Sequence, residues 1–133
     1  MVKVTWLGHA AFEIEAGRYI FLIDPWIKGN PASPYASYTE VKRADFVLVT
    51  HDHGDHGLDD ALKICKNVRA TFIGVYELAE LAGKKGCRFL GGNIGGEIQK
   101  DDVKIYFTQA VHSSSIAAPC GFIVCTPEVT FYH

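Results

Sequence analysis

One polar stretch that directly follows an apolar run constrains this chain more than any other feature. Residues Phe46 to Val49 are large and apolar, and residues 50–57 then read THDHGDHG. A short apolar run of this kind is typical of a strand that is buried on both faces. Since three histidines and two aspartates fall within residues 51–56, the pattern predicts metal-ligating side chains held at the edge of a sheet.

The spacing inside this stretch divides the candidate ligands into two sets. Side chains two positions apart in an extended segment lie on the same side, so His51 and His53 can bind one ion. Asp55 and His56 then remain for a second ion. A later strand predicted over residues 103–108 ends shortly before His112, which we expect to complete a three-histidine site for the first ion.

Imidazole and carboxylate ligands favour zinc, with manganese or iron as alternatives, at one or two ions per chain. Three protein ligands leave a coordination position open for water, whose pKa falls towards ~7 on a divalent ion. Hydrolysis is therefore the reaction that this pattern predicts.

Composition bounds the other possibilities. The chain has 133 residues, 48% of them hydrophobic and 21% charged, which fits a single globular domain over residues 1–133. A net charge of -2 does not favour nucleic acid or an anionic membrane as partner. No apolar run approaches the ~20 residues of a membrane span, and we expect a cytoplasmic protein. The four cysteines match no CxxC motif and are expected to be reduced thiols in the core.

The remaining pattern predicts a mixed α/β chain. An antiparallel meander over residues 2–6, 11–15 and 19–23 precedes a long loop over residues 25–40. The loop either flanks the site with its aromatic rings or simply packs them on the rim. Helices and strands then alternate over residues 58–65, 70–73, 75–83 and 87–90, and a hairpin turning at Pro127-Glu128 ends the chain. The glycine-rich residues 91–96 match no phosphate-binding motif, so nucleotide binding is not expected.

Three segments together resemble a known family. The motif His-x-His-x-Asp-His over residues 51–56 resembles that of the metallo-β-lactamase superfamily. The segments Trp6-Leu7-Gly8-His9-Ala10 and Leu22-Ile23-Asp24-Pro25-Trp26 look like its metal-dependent hydrolase branch related to L-ascorbate-6-phosphate lactonase. The resemblance implies an αββα sandwich, of which this chain would supply the N-terminal portion only.

The same resemblance implies roles for individual residues. His51, His53 and His112 would bind the first metal, and Asp55 and His56 the second. Asp24 would be an outer-shell carboxylate that orients a ligand, or it would only close the turn before Pro25. His9 would lie beside the metals to hold substrate or pass a proton, and Asp55 could accept a proton if it is not a ligand.

The chain also departs from the family pattern. The family places a carboxylate that bridges both metals, and a further histidine, beyond the segment that ends here at His133. The second metal would then keep only two protein ligands. Because part of the sandwich would be missing, we expect a homo-oligomer, another covering chain or a missing C-terminal segment.

The leading hypothesis is a metal-dependent hydrolase of a small ester, lactone or phosphodiester. The alternative is a catalytically incomplete metal-binding or assembly module that lacks the bridging carboxylate. A nuclease is disfavoured by the charge balance.

Overall fold

The computed structural model describes residues 1–133, which form two β-sheets and two α-helices. The strands are β1 (Val2–Trp6), β2 (Phe12–Ala16), β3 (Tyr19–Ile23), β4 (Phe46–Leu48), β5 (Thr71–Val75), β6 (Arg88–Gly92), β7 (Glu97–Lys100), β8 (Val103–Gln109), β9 (Cys120–Cys125) and β10 (Thr130–Tyr132). The helices are α1 (Leu58–Val68) and α2 (Tyr76–Lys84), and short 3-10 helices span Tyr38–Glu40 and Gly54–His56.

The first sheet has six strands in the order β1-β2-β3-β4-β5-β6. Strands β1 to β3 are antiparallel, as the meander predicts, and β3 to β6 run parallel. Both helices connect parallel strands and bury one face against this sheet, where Ile64 of α1 and Leu78 of α2 join a core with Val47 and Phe72. This packing is the usual solution for parallel strands, which are covered on both faces.

The second sheet is antiparallel, in the order β10-β9-β8-β7, and it covers the other face of the first sheet. Phe21 and Phe46 from the first sheet share a core with Phe107 and Phe122 from the second. The chain therefore has three layers, namely helices, sheet and sheet. The predicted mixed α/β class is confirmed, and so is the burial of β4 on both faces.

The structure differs from the predicted strands in two places. The alternation in β1 predicts one covered face, yet Val4 is 61% and Trp6 58% exposed, because β1 is an edge strand over which no element packs. Strand β7 was not predicted, because its polar sequence EIQK follows a glycine-rich run and carries little apolar signal. The second sheet consequently has four strands.

Neither helix is long and apolar enough to cross a bilayer. All four cysteines are free, and three of them, Cys65, Cys87 and Cys120, are buried as packed thiols.

Candidate metal centre

The candidate ligands reach one edge of the sandwich from four different connections. His9 lies between β1 and β2, Asp24 follows β3, residues 50–56 follow β4, and His112 follows β8. The carboxyl ends of the parallel strands β3 and β4 are neighbours, which places Asp24 beside Thr50. A hydrogen bond from the Cys120 amide to the Thr50 carbonyl, 3.0 Å long, joins the second sheet to the same edge.

The first donor group consists of His51, His53 and His112. One ring nitrogen from each lies within 4.8 Å of the others, although the three residues come from two different sheets. The ring centroid of His51 is 4.6 Å from that of His53 and 4.6 Å from that of His112. His112 makes no hydrogen bond in the structure, so both of its ring nitrogens are available as ligands. Three convergent imidazoles fit a divalent transition metal such as zinc.

Burial prepares His51 for this role. Desolvation is the main cause that lowers the pKa of His51, and the positive charge that His56 can carry lowers it further. The imidazole is therefore neutral at neutral pH, and a neutral ring nitrogen is the form that binds a metal.

A buried carboxylate orients His51 through one hydroxyl. Asp24 accepts hydrogen bonds from the Thr50 amide, at 2.8 Å, and from the Thr50 hydroxyl, at 2.7 Å. The same hydroxyl oxygen lies 2.8 Å from Nδ1 of His51. Nε2 of His51 then faces His53 and the donor group. Asp24 thus contacts the ring of His51 only through Thr50, and its backbone, at φ 45, lies in the turn before Pro25.

The second donor group consists of His9, Asp55 and His56. Oδ2 of Asp55 is 3.2 Å from Nε2 of His9, and Oδ1 of Asp55 is 2.9 Å from Nδ1 of His56. The hydrogen bond with His56 is the largest cause that lowers the pKa of Asp55, so this carboxyl is ionised. Sequence reasoning left the second ion with two protein donors, whereas the structure places His9 as a third beside them.

The two groups adjoin. The ring centroids of His51 and His56 are 4.1 Å apart, and those of His56 and His9 are 5.2 Å apart. Trp26 from the long loop packs edge-on against His9 at 5.6 Å, so one ring of that loop does flank the site. The other two rings do not, because the Tyr35 hydroxyl donates to Glu13 and Tyr38 packs on the helix-side core.

A cavity of about 330 Å³ opens beside the donor groups, and Asp24, Thr50, His51, His56, His112 and His133 are among its lining residues. A larger groove of about 680 Å³ shares His112 with it and runs along residues 113–119 towards Glu77, Asn93 and Ile94. Together these spaces give a small molecule access to both groups.

Three side chains at this edge were not singled out from the sequence. Thr50 and Asp52 stand inside the polar stretch, but their roles depend on contacts with Asp24 and with residues 114–116, which spacing does not reveal. His133 lies 3.4 Å from Asp24 only because β10 pairs with β9.

The fold and the donor groups agree with comparisons to known proteins. Residues 3–133 match the family model described as the beta-lactamase superfamily domain, so the chain belongs to the beta-lactamase superfamily. More narrowly, it is 48% identical over 133 residues to a protein of Korarchaeum cryptofilum named as a UPF0173 metal-dependent hydrolase, a match that covers 100% of this chain. It is 47% identical over 138 residues to a protein of the same name from Pyrobaculum islandicum, covering 99% of this chain.

Among solved structures, Igni18 from Ignicoccus hospitalis, described as a novel metallo hydrolase, superposes with a TM-score of 0.87 at 36% identity over 99% of this chain. The chain spans 59% of the Korarchaeum relative, 60% of the Pyrobaculum relative and 59% of Igni18.

Proposed function

We propose that this chain is the metal-binding part of a hydrolase that acts on a small ester, lactone or phosphodiester. The observation that carries the proposal is the pair of adjoining donor groups at one edge of the sandwich. The names of the similar proteins from Korarchaeum and Ignicoccus, metal-dependent hydrolase and metallo hydrolase, support the same activity.

Zinc is the metal that we propose, at one or two ions per chain, with manganese or iron as alternatives. His51, His53 and His112 would hold one ion, and His9, Asp55 and His56 the other. A divalent ion there would supply a water of lowered pKa and a Lewis acid for the substrate oxygen.

The protein's own residues hold and orient the reacting groups. The Asp24 and Thr50 pair fixes the tautomer and the ring orientation of His51. The Oδ2 atom of Asp55 and the Nε2 atom of His9 face each other at 3.2 Å, and Asp55 also contacts His56, which lines the cavity. Where either group is not a ligand, this pair can take up and return a proton. A cavity of about 330 Å³ suits a small substrate.

The test combines metal content with activity. Protein purified without added metal is analysed for zinc, manganese and iron, and is then assayed on lactone, ester and phosphodiester panels. We expect bound metal and hydrolysis of one class, both kept in Asp59→Asn, whose carboxylate is exposed on α1. His51→Ala should lose hydrolysis and the ion of the first donor group. If the wild-type chain binds none of these metals, the proposal is contradicted.

A second candidate is a metal-binding module without catalysis. It is favoured because the two donor groups share no carboxylate that could bridge two ions. Stoichiometric metal without hydrolysis on any panel would select this candidate, whereas activity that disappears in His51→Ala would exclude it.

We also propose a cytoplasmic location and a small-molecule substrate as the partner of the site. The four free cysteines fit a reducing compartment.

A further inference from the structure

The segment over residues 110–119 carries His112 and has no regular structure of its own. It leaves β8 at Gln109 and enters β9 at Cys120. None of its amides or carbonyls takes part in a backbone-to-backbone hydrogen bond. A ten-residue segment of this kind would ordinarily sample many conformations.

Every hydrogen bond that this segment makes goes to one carboxylate, that of Asp52. Oδ1 accepts from the Ser114 hydroxyl at 2.8 Å and from the Ser115 amide at 2.9 Å. Oδ2 accepts from the Ile116 amide at 2.7 Å and from the Ser115 amide at 3.2 Å. Both carboxylate oxygens are thus used, and charge-assisted bonds of this kind are stronger than neutral ones.

The position of Asp52 in the chain makes these bonds significant. Asp52 stands between His51 and His53, so the turn that presents two donors of the first group also holds the segment that presents the third. Two other contacts hold the segment. The Cys120 amide, just beyond its end, donates a hydrogen bond to the Thr50 carbonyl, and Ala117 packs against both cores.

We propose that Asp52 is a positioning residue that fixes the 110–119 segment, and with it His112, against His51 and His53. The same bonds hold the wall of the larger groove, since residues 113–119 form one side of it. In its bearing on metal binding the inference rests on the proposed function. Pre-organisation of this kind reduces the ordering that ligand or substrate binding would otherwise require.

The first test is amide hydrogen exchange of the metal-free chain, which requires neither metal nor activity. In Asp52→Ala we expect peptides covering residues 113–117 to exchange at least about tenfold faster than in the wild type, because the Ser115 and Ile116 amides lose their acceptor. Asp52→Asn should show a smaller increase, because one oxygen remains and the amide nitrogen faces amide donors. Ser114→Ala should change exchange least, because both main-chain amides keep their acceptor.

Asp59→Ala on α1 is the matched control and should leave the segment at its wild-type rate. Unchanged exchange in the two sheets will show that each variant is folded. Should Asp52→Ala exchange within twofold of the wild type over residues 113–117, the inference is overturned.

The second test measures His112 itself. Cobalt is titrated into wild type, Asp52→Ala and Asp59→Ala, and the visible spectrum reports the number and geometry of the ligands. We expect Asp52→Ala to bind the first ion about 10- to 100-fold more weakly and with an altered spectrum. An identical affinity and spectrum would contradict the positioning role. If the wild type itself binds no cobalt or zinc, the proposed function fails, and hydrogen exchange still decides the role of Asp52.

Discussion

Gly57 is the residue in the polar stretch whose backbone admits the fewest substitutes. Its φ is 73, and a Cβ built on it would lie 2.4 Å from the main chain of Pro25 and Trp26. We expect Gly57→Ala to lower the free energy of unfolding by at least ~1–2 kcal/mol, the cost of the left-handed backbone alone, with the steric clash adding to it. Chemical denaturation of the metal-free chain measures this.

Gly54 is the control for that substitution. Unlike Gly57, Gly54 has a negative φ and open space where its Cβ would be. Gly54→Ala should therefore be neutral or slightly stabilising, by up to ~1 kcal/mol. Equal losses at both positions would show that the curve of residues 53–57 needs two glycines.

Cys120 should lower the free energy of unfolding at alkaline pH. Burial, followed by the nearby Asp24 carboxylate, raises the pKa of this thiol to about 12 from the usual 9.0. Because the unfolded chain loses this proton first, the contribution of Cys120 to stability is complete below pH 9 and falls by up to ~1.4 kcal/mol per pH unit above it. Denaturation at pH 8, 9, 10 and 11 should show a shallower decline in Cys120→Ala than in the wild type. Parallel declines would assign the loss to other groups.

The sequence was sufficient to predict which residues form the first donor group. The grouping of His51 with His53 followed from alternation alone, and His112 followed from the end of a predicted strand. The place of His9 beside Asp55 could not follow from spacing, because β1 meets β4 only through β2 and β3. The roles of Asp52 and Thr50 could not be predicted from spacing either, because they depend on contacts with distant parts of the chain.

At the scale of the elements, α1 holds the long loop through one buried side chain. Asp59 and Asp60 both stand in its first turn, where the helix dipole favours either carboxylate. Only Asp60 turns inward, accepting hydrogen bonds from the amides of Ile27 at 2.8 Å and Lys28 at 2.9 Å. The helix thereby fixes the loop that carries Trp26 to the site, a role that the periodicity of α1 does not predict.

We expect Asp60→Ala to cost ~2–4 kcal/mol in the free energy of unfolding, because two amides lose a charged acceptor. The neighbouring Asp59→Ala should cost at most ~1 kcal/mol, since it removes an exposed pair with Lys63 and one of the two carboxylates near the helix N-terminus. Comparison of the two variants by denaturation tests the difference. A similar cost for both would mean that Asp60 stabilises the chain through the helix dipole and not through its hydrogen bonds to the loop.

At the scale of the whole molecule, the two sheets are joined by a hydrogen bond at the edge that carries the donor groups, whereas a cleft separates them near β1. Val4 and Phe12 from the first sheet and Phe131 and Tyr132 from β10 line an apolar cleft of about 260 Å³ between the two sheets. A further segment or a second chain that covers this cleft stays a prediction. Periodicity predicted every strand except β7, but it could not show which sheet edges remain unpaired.

The first donor group joins the two sheets. His51 and His53 follow β4 of the first sheet, while His112 follows β8 of the second. An ion held by all three binds only the folded arrangement, so it should stabilise the chain by about 4 kcal/mol when free ion is 1,000 times its dissociation constant. Thermal unfolding in zinc and in a chelator measures this gain.

In His112→Ala the zinc-dependent gain should fall by more than half, because the ion then contacts residues 51–53 alone and no longer bridges the sheets. Asp59→Asn, with no ligand changed, should keep the full gain. If His112→Ala gains as much from zinc as the wild type does, the stabilising ion sits in the group of His9, Asp55 and His56, and the first site is not the stronger one.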